Sequence, residues 1–204
     1  YGGIPGMANL RTMGYLGGAV ECGMMNAAIH QLAHHVGVPN YNSSGLSDAK
    51  VPDIQAGWEK ALTTVLAAMG GSNYVHHAAG MLESMLTVAY EQFVIDDEII
   101  GFCCKVLKGI TVDPDHLALE VIESVGPGGN FMMAPHTMKY MRSEYFQTNG
   151  ITDQKSRAKW EKDGALDARQ RARNLARKIL AQPPAEYVPE TVDQQIRERF
   201  EILL

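Results

Sequence analysis

Residues 38–61 read VPNYNSSGLSDAKVPDIQAGWEKA, and residues 74–97 read YVHHAAGMLESMLTVAYEQFVIDD. Each stretch opens with a short segment that predicts a strand, Val38 to Ser43 in the first and Tyr74 to Ala78 in the second. A loop follows each strand, and a helix follows each loop. Because strand, loop and helix repeat with the same polarity, the sequence predicts βα units and a parallel sheet.

Three long helices are predicted next to these strands, over 19–36, 52–69 and 82–107. Apolar residues that recur every three or four positions predict the buried face of each helix. In the first two helices these faces comprise Cys22, Met25, Ile29, Leu32 and Val36, and Ile54, Trp58, Leu62, Val65 and Met69. In the third helix the acidic run Asp96-Asp97-Glu98 interrupts the pattern, and we expect a bend there. The alternative is that one of these acids is buried for a purpose.

Beyond Gly109 the pattern predicts helices only, near 113–125, 135–145, 153–181 and 190–203. Two βα units cannot close a sheet, and a complete (β/α)8 barrel takes about 250 residues. We therefore interpret residues 1–145 as the C-terminal part of a TIM barrel and residues 146–204 as a helical C-terminal extension. An open α/β sheet is the alternative architecture.

The composition limits the classes of protein that fit this chain. Its 204 residues are 46% hydrophobic and 20% charged, with a net charge of -5. These values exclude a mainly disordered chain and argue against a nucleic-acid-binding protein. No apolar run approaches the roughly 18–20 residues of a membrane helix. The sequence begins at Tyr1 without a methionine, so we expect it to be part of a longer polypeptide.

The cysteine content predicts the compartment. The three cysteines, Cys22, Cys103 and Cys104, form no CxxC motif and are too few for a disulfide framework. We interpret them as reduced core thiols of a cytoplasmic protein.

Function in parallel α/β folds lies on the loops that follow the carboxyl ends of the strands. This rule selects the segments 41–45 (YNSSG) and 76–80 (HHAAG). The loop GPGGN, with Asn130 and Phe131, is a further candidate for lining the mouth of the barrel, where these strands end. Successive strand residues point to opposite sides, so we expect His76 and His77 to face different environments. The alternative for the two histidines is a structural role. The alternative for Ser43 and Ser44 is a turn and helix-capping loop.

The segment His30-Gln31-Leu32-Ala33-His34 resembles the HExxH motif of zinc hydrolases, with Gln in place of Glu. The spacing of its two histidines suits a metal, but the general base that would activate water is missing. We favour a surface or interface role for this pair and expect no bound metal, with a metal hydrolase as the alternative.

Four runs of sequence carry a resemblance to a known family. They read YGGIPGMANLRTMGYLGGAVECGMMNAA at 1–28, VPNYNSSGLSDAKVPDIQAGWEKA at 38–61, YVHHAAGMLESMLTVAYEQFVIDDEIIG at 74–101 and EVIESVGPGGNF at 120–131. Together they resemble the trimethylamine methyltransferase family, the corrinoid-dependent methylamine and betaine methyltransferases. The resemblance extends from Tyr1 to about Tyr145, and the family's barrels are roughly twice the length of this chain.

The resemblance implies transfer of a methyl group from a methylated amine to the Co(I) of a corrinoid carried by a separate protein. The corrinoid-binding signature DxHxxG is missing from this chain, so we expect a partner to supply the corrinoid (cobalamin) and no cofactor to be bound directly. Family members that act on trimethylamine carry pyrrolysine, whereas this chain contains only the twenty standard residues. This difference favours glycine betaine or a related quaternary amine as the substrate, and trimethylamine stays as the alternative.

The chemistry of such a substrate predicts how the site binds it. Aromatic faces hold a quaternary cation without hydrating it, and Tyr41, Tyr74 and Phe131 are the aromatics near the predicted mouth. His76 or His77 can hold the carboxylate of a betaine. The predicted substrate-binding residues are therefore Tyr41, Asn42, Ser44, Tyr74, His76, His77, Asn130 and Phe131, and no catalytic residue is assigned.

A second functional hypothesis is a non-catalytic fragment that associates with itself. Part of a barrel leaves open sheet edges, which tend to pair with another chain. We therefore expect a homo-oligomer under either hypothesis.

Overall fold

The computed structural model of this chain describes residues 1–183 and 187–202. Within these residues the strands and helices follow one another along the chain. The strands are β1 (Met7–Ala8), β2 (Tyr15–Leu16), β3 (Tyr41–Ser43), β4 (Tyr74–His76), β5 (Met81–Leu82) and β6 (Thr87–Val88). The helices are α1 (Val20–His35), α2 (Ile54–Met69), α3 (Tyr90–Lys108), α4 (Pro114–Leu117), α5 (Leu119–Val125), α6 (Pro135–Tyr140), α7 (Arg157–Lys162), α8 (Ala168–Leu180) and α9 (Glu190–Arg199). Short 3-10 turns lie at Glu83–Met85 and Phe131–Met133.

The parallel pair β3–β4 is the centre of the α/β arrangement. Tyr41 is opposite Tyr74, and Ser43 is opposite His76. A further parallel bridge joins Gly2 to Tyr41, so three chain segments run side by side, and α1, α2 and α3 follow them in turn. The prediction of βα units with parallel strands is therefore confirmed. Both strands are shorter than predicted, and the pairs β1–β2 and β5–β6 are small antiparallel ribbons.

The start of α3 differs from the prediction. The helix begins at Tyr90 rather than near Leu82, because residues 81–88 form β5, a tight turn and β6. α2 begins close to its predicted start, where the Asp53 side chain accepts a hydrogen bond from the backbone N–H of Ala56 and caps the helix.

Of the apolar stripes predicted for α1 and α2, only Cys22 is buried, and the rest of that prediction is wrong. Leu32 is 61% exposed and Trp58 is 58% exposed, whereas small and polar side chains are buried in their place. The buried residues are Cys22, Gly23, Asn26, His30 and Ala33 in α1, and Ala56, Lys60, Thr63, Thr64 and Ala67 in α2.

Close approach between the helices explains this choice of residues. A Cβ atom at Gly23 would lie 3.2 Å from the Cα of Thr63, and one at Gly70 would lie 2.7 Å from the Cα of Ala27. Only small side chains fit such contacts, so the larger apolar residues lie on the outer surface. An open apolar groove of about 410 Å³ lies between α2 and α3 and is lined by four residues of each helix: Trp58, Ala61, Leu62 and Val65 of α2, and Ile99, Phe102, Cys103 and Val106 of α3.

The acidic run does not interrupt α3, which continues from Tyr90 to Lys108. Asp96 and Glu98 are both buried. Asp96 pairs with Lys60, and Glu98 accepts hydrogen bonds from the backbone N–H groups of Asn149 and Thr152. The burial that the alternative interpretation predicted is therefore confirmed, for two of the three acids.

The C-terminal region packs against α3 through a small cluster that contains Val94, Ile151, Ala172 and Ala176. The single helix predicted over 153–181 is two helices, since Gly164 and Ala165 both have positive φ between α7 and α8. A capping box of Asp167 and Gln170 then starts α8.

Three further helix predictions need adjustment. The helix predicted over 113–125 divides into α4 and α5 because Ala118 adopts a left-handed conformation. The helix predicted to reach Tyr145 ends as α6 at Tyr140, and α9 ends at Arg199. Leu203, the predicted end of the last helix, lies outside the described residues. The division into residues 1–145 and 146–204 stays a prediction.

The structure also bears on two predictions from composition, the burial of the cysteines and the lack of a membrane helix. Cys22 and Cys103 are buried as predicted, but Cys104 is exposed and is not a core residue, because it lies on the outer side of α3. Among residues 1–183 and 187–202, none of the helices has both the length and the apolar character that a membrane-spanning segment requires.

Candidate functional site

The exposed face of the β3–β4 pair brings together two of the three aromatic residues predicted from the sequence, Tyr41 and Tyr74. The register places Tyr41 opposite Tyr74. Ser43 and His76 come two residues later, so they lie on the same face of the strand pair. The His76 ring lies 6.4 Å from the Tyr41 ring and 5.9 Å from the Tyr74 ring, measured between centroids. Tyr41 is 39% exposed and Tyr74 is 61% exposed, so this aromatic face is accessible from outside the chain.

Gly2 makes the position of Tyr41 possible. A Cβ atom there would lie within 3.0 Å of two ring carbons and the hydroxyl oxygen of Tyr41, so the Tyr41 side chain covers the backbone of the first parallel segment. The aromatic face therefore extends across all three segments.

His77 departs from the predicted alternation. The strand ends at His76, and His77 has a φ of +65°, in the left-handed region. Its ring consequently stacks on that of His76, with centroids 3.6 Å apart and an interplanar angle of 22°. The two imidazoles share one environment, and the expectation that they face opposite sides is wrong.

Hydrogen bonding and burial define the state of His77. Its Nδ1 lies 2.8 Å from the hydroxyl oxygen of Ser43. Burial lowers the pKa of His77, and the neighbouring His76 lowers it further. A neutral His77 can therefore present its Nε2 atom to a ligand as a donor or an acceptor.

The other predicted site residues have different surroundings. Asn42 is fully buried on the side of β3 opposite Tyr41, and its side-chain amide has no hydrogen-bond partner among the described residues. The Ser44 hydroxyl donates to the carbonyl oxygen of Thr63 at 2.8 Å, which attaches the loop to α2.

Asn130 and Phe131 form part of a separate turn. The Asn130 side chain accepts from the backbone N–H of Met132, and the carbonyl oxygen of Phe131 accepts from Thr137. Within 1–183 and 187–202, no hydrogen bond or ring contact joins either residue to the strand ends.

A cavity of about 440 Å³ lies among the loops that follow the three parallel segments, and the sequence analysis did not predict it. The Asp48 carboxylate accepts hydrogen bonds from the backbone N–H groups of Gly17 at 3.0 Å and Gly18 at 3.3 Å, and from the Ser84 hydroxyl. The lining residues are Asn9, Thr12, Gly14, Tyr15, Leu16, Asp48, Lys50, Glu83, Ser84 and Leu86. The sequence signal that could have indicated this cavity is that Asp48 and Ser84 both lie in loops that follow predicted strands.

The wall of this cavity includes a strained turn. Glu83, Ser84 and Met85 have φ values of +49°, +51° and +77°, which side chains larger than glycine rarely adopt. Backbone N–H groups of Glu83 and Ser84 donate to the carbonyl oxygens of Ala49 and Ser47, at 2.9 and 2.8 Å. The loop after β3 therefore holds the turn in place, and such strain often marks a functional site.

Below these loops lies a buried ion pair between α2 and α3. Lys60 Nζ is 3.1 Å from Asp96 Oδ2, and the two side chains are 0% and 1% exposed. Burial lowers the pKa of Lys60, whereas the adjacent Asp96 opposes that effect. Burial raises the pKa of Asp96 to about 6, with Lys60 and hydrogen bonds from Gln92 and Gly80 acting in the opposite direction.

The histidine pair in α1 does not form the arrangement that a metal hydrolase requires. His30 is fully buried, so a surface role for it is wrong, and burial lowers its pKa. His34 Nε2 lies 2.8 Å from the carbonyl oxygen of Gly71, to which it donates. In the part of the chain that the structure describes, no group of three His, Cys, Asp or Glu side chains is arranged to bind a metal.

Parallel strands that are each followed by a helix define an α/β protein, a class in which ligands bind at the carboxyl ends of the strands. The chain belongs to the trimethylamine methyltransferase (MTTB) family, whose sequence model matches residues 1–201. The resemblance noted in the sequence is thereby confirmed.

Individual relatives are methyltransferases. Glycine betaine methyltransferase of Desulfitobacterium hafniense (strain Y51) is 36% identical over 204 residues, which are 100% of this chain and 41% of that protein. Trimethylamine methyltransferase MttB of D. hafniense (strain DSM 10664 / DCB-2) is 36% identical over 97% of this chain and 39% of its own length. MttB2 of Methanosarcina mazei is 39% identical over 80% of this chain and 32% of its own length. The chain thus spans about two fifths of the length of the first two relatives.

Proposed function

We propose that the polypeptide carrying this sequence transfers a methyl group from a quaternary amine to the Co(I) of a corrinoid on a separate protein. Glycine betaine is the proposed substrate, and the strand ends are the proposed site of its trimethylammonium group. A TIM barrel, completed by segments outside this chain, is the proposed architecture. A cytoplasmic location stays a prediction from the cysteine content.

The observation that carries this proposal is the aromatic face formed by Tyr41, Tyr74 and His76. The negative faces of aromatic rings attract a quaternary ammonium group, which has no N–H to donate and therefore gains little from ordinary hydrogen-bond acceptors. His77, next to this face, presents a ring nitrogen that can donate to a carboxylate. Together these groups match a cation at one end of a small molecule and an anion at the other.

Two observations favour glycine betaine over trimethylamine. The chain contains only the standard residues, whereas family members that act on trimethylamine carry pyrrolysine. Trimethylamine also lacks the carboxylate for which the His76–His77 pair is suited.

The chemistry of the step makes modest demands on the protein. The C–N bond to the departing methyl breaks, its electron pair stays on nitrogen, and a neutral tertiary amine leaves without needing a proton. The corrinoid supplies the electron pair that forms the new bond to the methyl carbon. The residues of this chain orient the substrate so that one of its methyl groups faces the acceptor.

Calorimetric titration tests the proposal. The polypeptide at its natural length is titrated with glycine betaine and, separately, with trimethylamine. Selective binding of glycine betaine is expected, because only that ligand uses both the aromatic face and the histidine pair. Tighter binding of trimethylamine would contradict the assignment of the substrate, and absence of binding by either amine would contradict the site.

Self-association without catalysis is a second candidate function for this chain. The open apolar groove between α2 and α3 and the exposed strand edges favour it. Light scattering of the purified chain tests this candidate, with an oligomer as the expected result and a monodisperse monomer as the contradicting one.

A further inference from the structure

We propose that Lys60 and Asp96 are positioning residues that fix the loops following β3 and β4 relative to each other. This inference rests on the proposed function in one respect, which is that these loops hold the substrate. The structural part of the inference can be measured without any substrate.

The ion pair contacts both loops directly. Lys60 Nζ donates to the carbonyl oxygen of Gly45 at 2.5 Å and reaches that of Ala78 at 3.5 Å. Asp96 Oδ2 accepts from the backbone N–H of Gly80 at 2.7 Å. One charged pair therefore satisfies three backbone groups, one from the loop after β3 and two from the loop after β4.

The two loops also touch each other above the pair. Gly45 has a φ of +70°, and a Cβ atom there would lie 3.0 Å from the Cα of Ala78. Gly80 has a φ of +81°, and a Cβ atom there would overlap the Phe93 ring. At such separations a small shift of either loop is transmitted to the other.

Each loop leads directly to residues of the candidate site. Gly45 lies between Ser43, which contacts His77, and Asp48, which lines the cavity. Ala78 comes directly after the stacked histidines. A displacement of the backbone at Gly45 or Ala78 would therefore change the separation between the aromatic face and the cavity wall.

A purely stabilising role explains the pair less well. Removing two charges from water is costly, and well-packed apolar residues often replace a buried ion pair with no loss of stability. An apolar pair, however, could not bond the carbonyl groups of Gly45 and Ala78 or the N–H of Gly80. The specific contribution of the charges is thus the orientation of loop backbone, which an apolar replacement removes.

The test compares the wild type with a Lys60→Met/Asp96→Leu double variant by backbone amide hydrogen exchange. We expect exchange in residues 44–49 and 78–84 to accelerate at least tenfold, with exchange in the interior of α2 and α3 unchanged. Lys139→Met, which removes an exposed lysine paired with Asp115, is the matched control and leaves these loops unchanged. Unaltered loop exchange, or equal acceleration in loops and helices, would overturn the proposal.

Asp96→Asn keeps the test decisive if the double variant does not fold. The amide is almost isosteric with the carboxylate and keeps an oxygen that can accept from Gly80, so we expect a smaller, loop-restricted acceleration of about threefold to tenfold, with Asp96→Glu closer to wild type. Exchange identical to wild type in Asp96→Asn would overturn the proposal.

Glycine betaine titration of the same variants separates the two proposals. Loop-restricted acceleration with at least tenfold weaker betaine binding supports both. Loop-restricted acceleration in a protein whose wild type binds no betaine supports the positioning role and overturns the proposed substrate. Loop-restricted acceleration with unchanged betaine affinity overturns the claim that these loops hold the substrate.

Discussion

Ser43 Oγ lies 2.8 Å from Nδ1 of His77, although 34 positions separate the two residues in the sequence. The contact joins the ends of two neighbouring parallel strands and fixes the rotation of one imidazole in a stacked pair. Because Nδ1 is occupied by this contact, Nε2 is the ring nitrogen of His77 that is available to a ligand. The geometry therefore gives the two histidines a definite orientation before any substrate is bound.

Replacing His76 or His77 by Ala should weaken glycine betaine binding, because each change removes one ring of the stacked pair beside the aromatic face. A lost hydrogen bond to a charged group corresponds to about 1.5–3 kcal/mol, or roughly tenfold to 150-fold in Kd. Calorimetry measures the change. His35→Ala, at the exposed end of α1, is the control, and its affinity should be unchanged. Unchanged affinity in both the His76 and the His77 variant would rule out the assignment of these histidines to the substrate site.

Tyr41 and Tyr74 should act through their ring faces rather than their hydroxyl groups. Tyr41→Leu and Tyr74→Leu are expected to weaken betaine binding by about 0.5–2 kcal/mol, whereas the Phe variants keep most of the affinity. Titration with 3,3-dimethylbutanoate, the neutral-carbon analogue of glycine betaine, separates charge from shape. If the Leu variants lose equal affinity for both ligands, the cation–π interaction is not responsible.

Asp96 should make the stability of the protein depend on pH. Burial raises the pKa of Asp96 in the folded state from 3.8 to about 6, so between these values the folded protein keeps a proton that the unfolded chain has lost. The contribution of Asp96 is therefore largest below about pH 4 and is lost as the pH rises through 6. At about 1.4 kcal/mol per pKa unit the change is on the order of a few kcal/mol.

Urea unfolding of wild type and Asp96→Asn at pH 4, 5, 6 and 7 measures this effect. The free energy of unfolding of wild type minus that of the variant should fall across the series, because only the wild type carries the titrating group. A constant difference would show that the pKa of Asp96 is the same in the folded and unfolded states.

Gly45→Ala should destabilise the fold. Its φ of +70° is unfavourable for alanine, and the added Cβ would lie 2.7 Å from Thr64 Oγ1. We expect a loss of about 2–4 kcal/mol in the free energy of unfolding. Gly57→Ala is the matched control: its Cβ meets nothing within 4 Å on α2, so a gain of about 0.5–1 kcal/mol is expected. Equal effects of the two changes would contradict this account.

The sequence was a good guide to the order of elements, because strand, loop and helix signals are local. Tyr41–Ser43 and Tyr74–His76 do form parallel strands at the predicted places. The prediction of alternating histidines failed at His77 because it assumes extended backbone, and the chain leaves the strand one residue earlier. Nothing in the local pattern indicates a left-handed histidine.

The helix faces could not be predicted, because periodicity assumes that a helix buries its most apolar side. In α1 and α2 the helices pack so closely that small residues such as Gly23 and Ala67 are buried instead. Lys60 is buried because its ammonium group donates to a backbone carbonyl of the loop after β3. The partnership of Lys60 with Asp96 depends on two helices lying side by side, which neither helix specifies alone. The proximity of Tyr41 and Tyr74 could be predicted from the sequence, whereas the separate position of Phe131 and the cavity around Asp48 could not.

The left-handed turn at Glu83–Met85 has a consequence for the rate at which a ligand binds. Its conformation is held by hydrogen bonds to the carbonyl oxygens of Ser47 and Ala49, within the chain itself, so we expect a ligand to meet a wall that needs no rearrangement. Little ordering entropy is then lost on association. Stopped-flow traces should accordingly show one fast phase whose rate rises linearly with ligand concentration, without the plateau that a slow conformational step produces.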